Sequence, residues 1–185
     1  MFLGDSMQAL KDALLSCGAL MYGDFTLASG KKSGYYIDIK KATTDPSVLS
    51  VIADGMLTVL TKRNIKYDKI AGVVLGSVPL AVALSLKTGI PFLMIRREKK
   101  DHGTGKMIEG SIESGDRVIV IEDVVTSARS AAEAVTLLRE SGAIVDFVVA
   151  VVDREEGGRD YLKSMNIELI SLLSSNDLLG KPHAF

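Results

Sequence analysis

The sequence predicts an α/β fold, a central, mostly parallel β-sheet flanked by helices. Two observations carry that expectation. Beyond Tyr67 the chain twice reads apolar run, small-residue loop, helix, apolar run: "KIAGVVL", "GSVP", "LAVALSLKTG", "IPFLMI", then "RVIVI", "EDVVTSAR", "SAAEAVTLLRESG", "AIVDFVVAVV". The runs are apolar at every position instead of alternating, as in parallel strands covered on both faces.

The remaining elements follow in chain order. "DSMQALKDALLSCG" spaces Met7, Leu10, Ala13, Leu14 and Cys17 along one helical face, with Asp5 or Ser6 as cap and Gly18 as stop. "DFTLASGKKSGYYIDIK" has β-formers on both sides of the Gly30 to Gly34 stretch, a hairpin or a looped pair of short strands. In "TDPSVLSVIADGMLTVLTKRN", Asp45 precedes Pro46 in the N-cap and first-position pattern, and Val48, Ile52, Met56, Val59 and Leu60 line one face of a helix. After the two βαβ units, a further apolar strand at "IELISLL" is expected to extend or flank the sheet.

Composition narrows the function classes. A chain of 185 residues suits one domain with a core that needs no staples. A net charge of -1 gives no polybasic surface for nucleic acid. Cys17 is the only cysteine, so the chain offers neither an internal disulfide nor a Cys/His zinc cluster, and a reducing cytoplasm is expected. No basic, then apolar leader opens the sequence, and no window reaches the roughly 18 apolar residues of a membrane span.

Val118 to Ser130 reads "VIVIEDVVTSARS". Parallel sheets bind ligands beyond the carboxyl ends of their strands, so Glu122 and Asp123 are expected on the rim of a cleft, with no need of burial. Ser130 and Glu133 have the S-x-x-E spacing of a capping box, which fixes the helix start and leaves the amides of Thr126 to Ser130 facing outward. Those amides, the helix dipole and the hydroxyls of Thr126, Ser127 and Ser130 compose a phosphate site. In the first unit "GSVP" repeats the design: Pro79 suits the first helical position, and Gly76 and Ser77 admit close backbone approach. Singly, such acids and loops are ordinary turn chemistry. Together, two anion sites beside a carboxylate pair point to a ligand with phosphates at both ends, a hydroxyl-bearing middle and a divalent cation, as in a pyrophosphorylated sugar phosphate.

"VIVIEDVVTSARS" resembles the phosphoribosyl pyrophosphate signature of type I phosphoribosyltransferases. "FTLASGKKSGYYID", "RREKKDHGTGKMIEG", "IEDVVTS" and "VVDREEGG" stand in the order and approximate spacing of the orotate phosphoribosyltransferases, and the resemblance runs from Phe25 to Leu179. It implies the type I fold in a single domain over residues 1–185, with a small N-terminal hood over residues 1–42 and a core over 43–185. The implied activity is that of a pentosyltransferase: the 5-phosphoribosyl group passes from phosphoribosyl pyrophosphate to orotate, giving orotidine 5'-monophosphate and pyrophosphate. Mg²⁺ is the implied cofactor, carried mainly by the substrate, with Asp123 as the one protein ligand considered.

By the same resemblance Glu122 and Asp123 face the ribose hydroxyls, Val124, Val125, Thr126, Ser127, Ala128, Arg129 and Ser130 hold the 5'-phosphate, and Gly76 and Ser77 belong to the pyrophosphate loop. Arg96, Arg97, Lys100 and His102 match a basic lid over the phosphates, and Lys100, His102 and Asp123 are the implied catalytic groups. The sequence supports the lid independently, since Arg96 to Ile108 holds five Lys/Arg against two acids in a polar, glycine-containing loop. Orotate falls to Thr126, Arg154 and the backbone around Tyr35 and Tyr36. A plain exposed ion pair with Glu155 or Glu156 is the alternative for Arg154. A homodimer whose lid enters the neighbouring site is also implied.

Some positions depart from the family pattern. Ala128 and Arg129 stand where a glycine and a small residue are common, Ser77 replaces a second glycine, and Ala28 and Gly76 replace lysines of many bacterial relatives. Alanine accepts most loop conformations except those with positive φ. Two rivals remain: a purine phosphoribosyltransferase, against which "DREEGG" argues, and a non-catalytic sensor of phosphoribosyl pyrophosphate, for which no helix-turn-helix segment or basic face is present.

Overall fold

The computed structural model describes residues 2–26, 30, 32–96 and 106–180, with side chains from Met7 onward. Six strands form the main sheet in the order β5-β4-β3-β6-β7-β8: β3 (Lys69–Val73), β4 (Phe92–Ile95), β5 (Ile108–Glu109), β6 (Arg117–Val125), β7 (Ile144–Asp153) and β8 (Glu168–Ser174). All neighbours are parallel except the short β5, which runs against β4 and was not evident in the sequence.

The unbroken apolar runs have the expected cause. Successive strand residues point to opposite faces, and both faces are covered. Ile119, Ile121, Val149 and Val151 pack with α1 (Phe2–Ser16), α3 (Pro46–Lys62) and α4 (Val78–Thr88). Val118, Val120, Val148 and Ala150 pack with α5 (Arg129–Glu140) and α6 (Gly158–Ser164). In α3, Val48, Ile52, Met56 and Leu60 are buried as the helical spacing requires, and Val59 is partly buried beside them.

Helix α1 begins at Phe2, upstream of the expected caps, so Asp5 and Ser6 lie inside it. Its stripe of Leu10 and Leu14 is buried against the sheet domain, and Gly18 closes it in the left-handed region at φ 70°. The hairpin forms as expected: β1 (Leu20–Thr26) and β2 (Lys32–Ile37) pair antiparallel as a separate sheet. A one-turn helix α2 (Ile39–Thr43) follows, and α7 (Ser175–Leu179) ends the described chain.

Asp45 caps α3 as its position before Pro46 predicts. Its Oδ1 accepts from Ser47 N at 2.8 Å, Ser47 Oγ at 2.6 Å and Val48 N at 3.3 Å. The Ser47 hydroxyl, then the two amides, hold the carboxyl below its ordinary value. The carboxylate is therefore favoured in the folded state; its contribution is present above the unfolded pKa and is lost as pH falls through the lower, folded one. Asp45→Ala is expected to lower the melting temperature by about 2–4 °C at neutral pH, a difference that shrinks on acidification. Calorimetric scans of both proteins across that range check it.

The sheet order reverses between β3 and β6: from β3 the chain builds outward through β4, then returns to place β6 on the other side. Such a switch point opens a crevice beyond the strand ends, because the two loops leave toward opposite faces.

Candidate active site

β3 stops at Val73, with its last pairing to β6 at Gly72↔Ile121. β6 runs on to Val125, paired by then with β7 alone through Glu122↔Ala150, Val124↔Val152 and Val125↔Asp153. The strand thus continues past its two carboxylates, because the long β7 supplies the ladder they need. Beside them, where β3 has ended, the turn Val74 to Ser77 and the loop Thr126 to Ser130 enclose a cleft of about 700 Å³.

Within the cleft the carboxylates differ. Glu122 is buried, 5% exposed, and its Oε2 accepts from the buried Ser77 Oγ at 2.9 Å, which corrects the expectation of a pair that needs no burial. A carboxylate here requires a donor, and Ser77, in place of a glycine, provides one. Asp123 is half-buried, accepts at Oδ1 from Val124 N at 2.9 Å, and lies directly against Gly76. A Cβ on Gly76 would stand 2.8 Å from Asp123 Cγ, so only glycine admits this approach.

The loop after β6 departs from expectation at its helix. The Ser130/Glu133 capping box does not form; α5 starts at Arg129, and its N-cap is Ala128 in the left-handed region, φ 60° and ψ 16°, with no side-chain cap. Ser130 already lies in the first helical turn, where its hydroxyl cannot take the N-cap role. An alanine tolerates this backbone because its methyl is buried, 7% exposed, in a cluster with Val125, Ala131 and Leu162. The first amides of α5 remain without a side-chain acceptor, and the hydroxyls of Thr126, Ser127 and Ser130 make no hydrogen bond among the described residues. The result is a helix N-terminus lined with free donors, suited to an anion. On α4, Pro79 takes the second helical position behind Val78, and Ser77 is the N-cap.

The third wall comes from the end of β7. Arg154 N donates to Val125 O at 2.9 Å, and Ser175 Oγ donates to Arg154 O at 3.1 Å, which fixes the backbone on both sides. The residue is 5% exposed, so the alternative of an exposed pair is replaced by a buried one. Arg154 Nε donates to Glu156 Oε1 at 2.8 Å, Nη2 donates to Ser33 Oγ at 3.3 Å, and Cζ lies 4.5 Å from the centre of the Tyr35 ring. Gly158 lets this segment pack onto the phosphate loop, since a Cβ there would sit 2.6 Å from Thr126 O.

Most of the expected site residues therefore meet in one cleft: Gly76, Ser77, Glu122 to Ser130, Tyr36 and Arg154 all line it. Tyr35 reaches it through Arg154. Arg96 stands apart, its Nη1 3.6 Å from Glu109 Oε1 in a second groove of about 670 Å³, which shares Arg129 and Ser130 with the cleft. Arg97, Lys100, His102 and Ala28 lie outside the described residues. Sequence reasoning missed Lys40, an exposed cation on the cleft wall from α2; the Lys40–Lys41 pair directly after the hairpin was its only signal.

For a divalent cation, the described residues contain no group of three or more His, Cys, Asp or Glu side chains able to cage one. Of the two cleft-lining carboxylates Glu122 is buried and bonded to Ser77, and the half-buried Asp123 beside an anion site suits an ion such as Mg²⁺ that arrives on a phosphorylated ligand and keeps most of its ligands from that ligand and water.

Known proteins share this arrangement. Residues 42–173 match the phosphoribosyl transferase domain family. The orotate phosphoribosyltransferase of Methanosarcina mazei is 50% identical over 172 residues, covering 93% of this chain and 91% of that protein. Among solved structures, the orotate phosphoribosyltransferase of Aeropyrum pernix superposes with a TM-score of 0.84 at 35% identity, over 92% of this chain and 96% of that one. The Mycobacterium tuberculosis orotate phosphoribosyltransferase in complex with 5-phospho-α-D-ribosyl 1-diphosphate does so at 0.77 and 28% identity, over 94% and 98%. With a family match over residues 42–173 and a relative 50% identical over 93% of its length, the chain belongs to the phosphoribosyltransferase domain family and, within it, to the orotate phosphoribosyltransferases.

Proposed function

We infer that the chain transfers the 5-phosphoribosyl group from phosphoribosyl pyrophosphate to orotate. The observation that carries this reading is the cleft itself, in which an uncapped helix N-terminus, a carboxylate and a buried arginine line one continuous surface. The 5'-phosphate binds the amides and hydroxyls from Thr126 to Ser130, where full donors and the α5 dipole await an anion. Pyrophosphate lies toward Gly76 and Ser77, and the ribose between, along Glu122 and Asp123. Lys100, His102, Arg96 and Arg97 act on the pyrophosphate side as a basic lid.

The anomeric carbon gains positive charge as pyrophosphate departs, and the Asp123 carboxylate stabilises it electrostatically. Mg²⁺ on the diphosphate would supply neutralisation of the leaving charge. No enzyme nucleophile is needed: the chain positions orotate for direct attack, and Arg154, with a planar fork suited to carboxylates, orients it. A cytoplasmic setting belongs to this reading, in keeping with a lone cysteine and no internal disulfide.

A homodimer with a shared lid completes it. Its support is two exposed leucines, Leu75 in the pyrophosphate turn and Leu86 on α4, which are 72% and 82% exposed.

Ultraviolet monitoring of orotate consumption with phosphoribosyl pyrophosphate, with and without Mg²⁺, tests the activity; no consumption under either condition rejects it. The loop carries its own test. Ala128→Gly is expected to leave the KM for phosphoribosyl pyrophosphate unchanged or lower, since glycine removes the left-handed strain while giving up one buried methyl. A large rise in that KM would mean that the methyl, and not the backbone, holds the loop.

A further inference from the structure

Arg154 is held more tightly than its reach to a substrate alone requires. Its guanidinium is used on three sides: Glu156 takes Nε at 2.8 Å, Ser33 takes Nη2 at 3.3 Å, and the Tyr35 ring covers a face at 4.5 Å. The side chain is 4% exposed and that of Glu156 22%, so this pair is not a solvated surface contact. Glu156 is in place because the loop is bent deliberately. The buried Asp153 accepts from Glu155 N at 2.8 Å, Glu155 adopts φ 58°, and the chain doubles back so that residue 156 faces residue 154. Asp153 is in turn clamped by Arg159, whose Nη2 donates to Asp153 Oδ2 at 2.9 Å.

We propose that Glu156 is a positioning residue for base recognition: by occupying the Nε side of Arg154, it turns the outer Nη1 edge toward the cleft and so dictates which edge receives the carboxylate of the pyrimidine. Nη1 makes no hydrogen bond among the described residues. A guanidinium can grip a carboxylate through its side edge or its end edge, and Glu156 blocks the first. Ser33 accepts from Nη2 and Tyr35 covers one face, and both belong to β2, so the N-terminal hairpin is tied to the same group. The proposal rests on the orotate reading above. It adds that Glu156, whose charge has the same sign as that of the substrate and repels it, improves selectivity through geometry at some expense in raw attraction.

That opposition gives a pattern that a merely structural residue would not produce. Glu156→Ala frees the guanidinium to rotate, and the KM for orotate should rise about 10-fold, with kcat and the KM for phosphoribosyl pyrophosphate each within about twofold. Glu156→Gln keeps an oxygen acceptor for Nε and removes the like charge, so its KM for orotate should stay at or below that of wild type. In an Arg154→Ala background, Glu156→Ala should change nothing further, because its role acts through Arg154. Steady-state kinetics of the three variants and wild type, with melting temperatures, decide the matter. A Glu156→Ala protein whose KM for orotate stays within twofold overturns the proposal, as does a further loss in the Arg154→Ala background. If wild type itself consumes no orotate, the activity falls and the positioning role with it. If wild type is active and only the Glu156 pattern fails, the activity stands alone.

Discussion

Asp123→Asn lowers turnover by about 100-fold to 1,000-fold and moves the melting temperature by no more than about 2 °C. The substitution keeps the shape of the side chain and its contact with Gly76, and the amide oxygen can still accept from Val124 N. What it removes is the negative charge on the cleft wall that, in the proposed reaction, faces the developing cation. That interaction exists only in the transition state, so kcat should fall while the KM for phosphoribosyl pyrophosphate changes little. Glu122 is not an equivalent substitute, because it is buried and bonded to Ser77. Steady-state rates with saturating orotate and a thermal scan of the purified variant check the result, and turnover within twofold of wild type would rule out the electrostatic role.

Arg154→Ala has the second large effect, and it touches stability as well as recognition. Specificity for orotate, measured as kcat/KM, should drop by about 10-fold to 150-fold, as expected for loss of a charge-assisted bond to a desolvated carboxylate. The KM for phosphoribosyl pyrophosphate should barely change. Unlike an exposed pair, this arginine leaves behind a half-buried Glu156 and an uncovered Tyr35 ring, so the folded state loses about 3 kcal/mol and melts several degrees lower. Assays well below that transition separate the two consequences. An unchanged response to orotate, with the thermal shift alone, would leave Arg154 a purely structural ion pair.

Local chemistry carried much of the sequence reading. The Asp45–Pro46 start of α3, the two-faced runs of β3, β6 and β7, and the acid pair before a small-residue loop are set by neighbours a few residues apart, which a sequence displays. The features it concealed are set across long separations. Strand β6 outlasts β3 because β7 stays beside it, and the burial of Glu122 depends on Ser77, which is 45 residues away in sequence. The capping box looked sound from Ser130 and Glu133, but the packing of the Ala128 methyl among Val125, Ala131 and Leu162 selects a left-handed entry two residues earlier. Likewise, nothing local to "YY" reveals that Tyr35 covers Arg154 from another sheet, or that Lys40 joins the cleft wall.

The bond from Arg154 N to Val125 O has a consequence for how the protein breathes. Val125 leads into the loop proposed to hold the phosphate and Arg154 into the loop proposed to hold the base, so this rung of the ladder is a common pin for both. Its amide is buried at the end of two parallel strands, where solvent gains access only when those strands separate. In deuterated water the Arg154 amide should therefore exchange among the slowest in the molecule and in step with its β7 neighbours, while amides at the tips of the two loops exchange freely. Ligands would quiet the tips without altering the pin. On the proposed reading the two subsites share one opening event, so an agent that loosens the pin should release the sugar phosphate and the pyrimidine together.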